Sequence, residues 1–102
     1  MSETVDPERC TTMAEVRAGV DALDLELVAL LARRFGYMDA AARIKPERGH
    51  VRDEARKAQV IENAVAAGER MGIPGAIIAA LWDHLVEASI AYEDAEWQRL
   101  RP

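Results

Sequence analysis

Residues 11–45, TTMAEVRAGVDALDLELVALLARRFGYMDAAARIK, decide the fold. Apolar side chains recur at Met13, Val16, Val20, Leu23, Leu27, Leu30, Leu31, Met38 and Ala41 with no interior proline, which is the pattern of one long amphipathic helix. Thr11 or Thr12 can cap its start, and Glu15, three residues after Thr12, completes a capping-box pattern. Pro46 ends it, because the proline ring clashes with the preceding turn. Gly19 and Gly36 weaken the helix slightly, and a bend at Gly36 is conceivable.

Beyond the loop from Pro46 to Val51, a second helix is predicted from about Asp53, a suitable cap, to Arg70. It buries Val60, Ile61, Ala64 and Val65 and is closed by Gly72. A third starts at Pro74 and carries Ile77, Ile78, Leu81, Leu85, Val86 and Ile90 on one broad face before fraying near Arg101. The predicted fold class is therefore all-α, with three helices in a single domain over residues 1–102 and residues 1–10 expected to be flexible. Composition agrees: half the residues are apolar and only 5% aromatic, with the helix formers Ala and Leu dominating.

Some 35 residues of helix at ~1.5 Å each span roughly 50 Å. A compact globule of ~100 residues is only about 33 Å across. One chain cannot bury such a helix, and its apolar seam continues almost to the end. The economical solution is a two-fold, intertwined homodimer in which an antiparallel copy covers the far half. A free-standing coiled coil is the competing arrangement, and the short second helix and broad third face count against it.

The net charge of −5 opposes a general nucleic-acid binder, which needs a basic face. The first nine residues are polar and acidic and no apolar run reaches membrane length, so a soluble, cytoplasmic protein is expected, with no membrane partner. Cys10, the single cysteine, can form no intrachain disulfide. His50 and His84 lack metal-ligand spacing, and no metal or cofactor is expected. Trp82 and Trp97 read as packing or interface anchors.

The charge is unevenly spread. From Arg33 to Lys57 eight cations (Arg33, Arg34, Arg43, Lys45, Arg48, Arg52, Arg56, Lys57) face four anions (Asp39, Glu47, Asp53, Glu54), a local +4 that could draw a small anion or could be an ordinary solvated turn. Arg34 and Lys45 are eleven positions apart, so they differ by only about 20° around a helix axis and share the face that carries Leu27, Leu31 and Met38. A cation beside a buried seam is costly unless an anion answers it. About 16 Å of rise separates the two, which leaves room for a ligand between long side chains. Alternatively the cations snorkel, or internal carboxylates such as Asp24 or Glu93 answer them. Arg17, about 25 Å from Arg34 along the helix, cannot reach that place in its own chain but could do so from an antiparallel partner. Ser89 and Glu93 stand one turn apart on the third helix, and both can hydrogen-bond a ligand.

The run Val16-Arg17, Ala22-Leu23-Asp24, Leu27, Leu30-Leu31-Ala32-Arg33-Arg34, followed by Lys45, Val51-Arg52-Asp53 and Arg56, resembles the active-site framework of the all-helical chorismate mutases over roughly Met13 to Glu93. The resemblance implies three helices per chain in an interlocked dimer with two sites and chorismate, a small dianion, as substrate. It implies that Arg34 and the partner's Arg17 bind the two carboxylates and that Lys45 binds a carboxylate and the ether oxygen. Asp53 and Arg56 would lie near the ring hydroxyl, Ser89 would contact a carboxylate, and Glu93 would face the ether oxygen. Arg34, Lys45 and Glu93 are thus the expected catalytic residues. An intramolecular rearrangement to prephenate, a step toward aromatic amino acids, needs only a held conformation and charge stabilisation at the breaking bond.

Two departures stand out. Many relatives carry Gln where Glu93 stands, and a carboxylate repels an ether oxygen unless protonated, so activity is expected to fall with rising pH and Glu93→Gln to flatten that profile. Lys57 occupies a position that is acidic in typical mutases. Residues Cys10 to Arg17 and Arg43-Ile44-Lys45 are also similar to isochorismate-pyruvate lyases, which release pyruvate and salicylate from isochorismate, whereas Val51-Arg52-Asp53 is mutase-like. The third reading is a non-catalytic, dimeric helical adaptor or metabolite-binding domain, for which apolar residues at positions 34 and 45 would be more stabilising.

Overall fold

Three α-helices and two single 3-10 turns make up the chain in the computed structural model, which describes residues 4–102. Helix α1 runs Met13–Ile44, α2 Glu54–Arg70 and α3 Gly75–Leu100, and no strand occurs among the described residues. The fold is all-helical, as the apolar spacing requires. Residues 1–3, part of the lead-in expected to be flexible, lie outside the described residues; Pro7–Arg9 forms a 3-10 turn braced by an Arg9–Asp6 ion pair of 2.8 Å.

The helix ends follow local chemistry. Glu15 N–H donates to Thr12 Oγ1 at 3.2 Å while Glu15 Oε1 accepts from the Thr11 and Thr12 amides at 3.0 and 3.1 Å, a reciprocal capping box that holds the Glu15 carboxyl below its ordinary range. Asp53 caps α2 by accepting from Arg56 N–H at 3.0 Å. Gly72, at φ +84°, closes α2: its amide donates to Glu69 O and that of Ile73 to Gly68 O, which satisfies two terminal carbonyls. Pro74 sits at the N-cap of α3 rather than inside the helix.

The chain divides into two compact units, Met1–Gly36 and Tyr37–Pro102. In the second, α2 packs along α3, and the buried apolar residues Val51, Ile78 and Val86 join Ala42 from the last turns of α1. Val60, Ile61, Ala64 and Val65 are half-buried on α2 as expected, but Ile77 and Leu81 are exposed, because the apolar stripe of α3 is wider than one neighbouring helix covers. Gly68 marks the closest approach: a Cβ there would lie 2.6 Å from Ile78 Cγ1. Gly68→Ala is therefore expected to cost about 1–3 kcal/mol, seen as a lowered denaturation midpoint, and to cost less in an Ile78→Ala background, where Cγ1 is absent.

In the first unit the row Met13, Val16, Val20, Leu23, Leu27 and Leu30 alternates three- and four-residue intervals along α1, and every member is exposed, Leu23 and Leu27 by 55% and 56%. These residues have the spacing of a packing seam.

Candidate functional site

Four positions on α3 fall in one row of four-residue intervals: Ser89, Glu93, Trp97 and Arg101, the last just past the helix end. Ser89 and Glu93 are the buried polar residues of the second unit, 3% and 4% exposed. Ser89 Oγ donates to Leu85 O at 2.7 Å. Glu93 Oε2 accepts from Lys45 Nζ at 2.7 Å, with the Lys45 side chain still 30% exposed. Burying a carboxylate is tolerable only against such a partner. The geometry thus unites Lys45 and Glu93 beside Ser89. It also realises the alternative in which an internal carboxylate answers the lysine. An ammonium has three N–H donors and Glu93 takes one, so two remain for an anion approaching from the exposed side.

Along the neighbouring edge of α3, Asp83, Glu87 and Asp94 answer the basic loop and the start of α2. Arg48 forks onto Asp94 (Nε–Oδ1 2.9 Å, Nη2–Oδ2 3.1 Å) and Arg52 onto Glu87 (2.7 and 3.1 Å). Lys57 Nζ reaches Glu87 at 2.7 Å and Asp83 at 3.0 Å. Three of the eight cations that suggested an anion-attracting patch are therefore spent on holding the loop and the first turn of α2 to α3. Lys57, anomalous by family pattern, has this structural task. Sequence spacing does give the signal, since positions 83, 87, 90 and 94 share a face, but not which cations meet it. Between these pairs lies an open groove of about 510 Å³ over Val51, Ile90 and Ala91.

Arg52, then Lys57, lower Glu87 to about 2 through hydrogen bonds, and Arg48 likewise holds Asp94 below its usual range. A carboxylate depressed on folding adds stability above its unfolded value near 4.5 and loses it as pH falls toward 2. Denaturation midpoints are expected to fall between about pH 4.5 and 2, and Glu87→Gln to remove part of that dependence; an unchanged acid slope in the variant would count against a stabilising role for the Glu87 ion pairs.

The remaining predicted residues are placed as follows. Asp53 is engaged as the α2 cap, and Arg56, exposed, donates to Gln59 Oε1 at 2.8 Å. Arg17, exposed, and Arg34, half-buried, both belong to α1 in the first unit. No group of His, Cys, Asp or Glu among the described residues is arranged to hold a metal, and no helix among them is long and apolar enough to cross a membrane.

Residues 16–94 match the chorismate mutase type II family. The chain belongs to that family. An isochorismate pyruvate lyase of Pseudomonas aeruginosa is 28% identical over 95 residues, 93% of this chain and 94% of the lyase. The matched segment of this chorismate mutase type II family member contains Arg17, Arg34, Lys45, Asp53, Arg56, Ser89 and Glu93, and stops short of Trp97 and Arg101.

Proposed function

We propose that the chain is a homodimeric, cofactor-free enzyme that rearranges chorismate to prephenate, and so serves aromatic amino acid biosynthesis. The observation that carries this reading is the Lys45 ammonium, fixed 2.7 Å from a buried carboxylate within a chorismate mutase type II frame. Its two unspent donors suit a substrate carboxylate and the ether oxygen, where charge builds as the carbon–oxygen bond breaks. Arg34 and Arg17 of the partner subunit take the two carboxylates and hold the enolpyruvyl arm over the ring, which lowers the entropic part of the barrier. Ser89 adds a carboxylate contact; Asp53 and Arg56 serve the ring hydroxyl. The exposed row on α1 supports the dimer, since a seam of this spacing is stable only when another helix covers it.

The lyase relative favours a second reading, in which the same cations hold isochorismate while pyruvate leaves. Purified protein given each substrate separately distinguishes them: prephenate from chorismate, or salicylate and pyruvate from isochorismate. If neither is turned over but dianions still bind, the non-catalytic reading stands instead.

Glu93→Gln sharpens the mutase reading. An amide can accept from Lys45 through its oxygen and donate to the ether oxygen through its nitrogen, whereas a carboxylate can only accept. The variant is expected to raise kcat at neutral pH by about tenfold or more. A kcat unchanged from the parent would remove Glu93 from the chemistry.

A further inference from the structure

The end of α1 is held in an unusual way. Pro46 has no N–H, so the helix cannot continue, and its last carbonyls need donors from elsewhere. They come from α3. Arg101 donates from Nη1 to Ala42 O at 2.9 Å and from Nη2 to Lys45 O at 3.0 Å and Arg43 O at 3.3 Å. Trp97 Nε1 donates to the same Lys45 O at 2.9 Å. The guanidinium lies 4.4 Å from the centroid of the Trp97 ring and also donates to Trp97 O, so the two side chains order each other. A cation at this place also complements the negative end of the α1 dipole.

Lys45 is thereby gripped at both ends by one face of α3: its carbonyl by Trp97 and Arg101, its ammonium by Glu93. We infer that Trp97 and Arg101 are positioning residues that aim the Lys45 ammonium, acting on its backbone without touching substrate. This rests on Lys45 being a substrate-binding residue. Apart from its own N–H, which donates to Ala41 O at 2.9 Å, the Lys45 backbone past the helix end is tied down by Trp97 and Arg101, and a misplacement of about 1 Å at a reacting group costs on the order of 10²-fold in rate.

The test uses the full chain with Trp97→Phe, which keeps the ring under Arg101 but deletes one donor, and with Arg101→Ala and Arg101→Lys. Expected are folded proteins whose kcat falls about tenfold for Trp97→Phe and up to about 10²-fold for Arg101→Ala, with KM nearly unchanged, and no recovery in Arg101→Lys, which lacks the planar fork. Independently of activity, the Lys45 carbonyl ¹³C resonance should move upfield and the Lys45 ammonium signal should weaken in Trp97→Phe. An unmoved carbonyl resonance, or parental kcat in both Trp97→Phe and Arg101→Ala, overturns the inference. Should the parent turn over neither substrate, the reading of function fails while the ammonium signal still decides: its weakening in Trp97→Phe supports positioning, and its persistence refutes it.

Discussion

On the proposed mutase reading, Lys45→Met is expected to lower kcat/KM by about 10³-fold, the largest single effect at the site, because it would remove both a carboxylate partner and the donor to the ether oxygen. It should also destabilise the chain. Glu93 is 4% exposed and would be left buried without its cation. Breaking a buried pair typically costs ~3–5 kcal/mol, and the 30% exposure of the Lys45 side chain brings the expected loss to about 2–4 kcal/mol. Activity and stability can be separated by Lys45→Met combined with Glu93→Leu. Replacing both charges with apolar groups of similar volume is often neutral or stabilising, so the double variant should regain the denaturation midpoint yet stay inactive. That outcome would show that the pair persists for the ligand it serves rather than for the fold. Turnover within about tenfold of the parent in Lys45→Met would remove the lysine from the chemistry.

How far this was legible beforehand depends on the range of the interaction involved. The span of α1, the Thr12–Glu15 capping box, the Asp53 cap and the Gly72 terminator are set within a few residues of chain, and the sequence patterns predict them. Residue type and face nominate Lys45 and Glu93, the latter as one of the carboxylates available to answer a buried cation. Their pairing, across 48 positions, is a tertiary fact. The same holds for Arg48–Asp94 and Arg52–Glu87, where a count of local charge suggested an unneutralised patch because the answering carboxylates sit on another helix. Trp97 was readable as an anchor, but not its partner. Arg101, predicted merely to lie in a fraying end, instead donates to four carbonyls. Its spacing of four from Trp97, Glu93 and Ser89 was visible, yet spacing says only that residues share a face, not what that face meets.

On the proposed dimeric reading, Arg17→Ala and Arg34→Ala test whether two chains share one cavity. Each deletion would then remove a forked guanidinium from a substrate carboxylate, and loss of one partner from a desolvated, hydrogen-bonded charge pair costs ~2–5 kcal/mol, so each variant should fall by roughly 30-fold to more than 10³-fold in kcat/KM. Both should stay folded, since Arg17 is exposed and Arg34, which continues the row one step past Leu30, is only half-buried and adds no apolar surface to it. The decisive measurement mixes them. If each site takes Arg34 from one chain and Arg17 from the other, a heterodimer of the two variants contains one site with both arginines intact and one with neither. Equimolar co-refolding yields about half heterodimers, and hence about a quarter of the parental number of sites, with parental KM. Recovery to about a quarter requires the arginines to meet across a two-fold interface. No gain over the single variants would mean that the two arginines do not meet in one site, and a dimer would then be an assembly without a catalytic role.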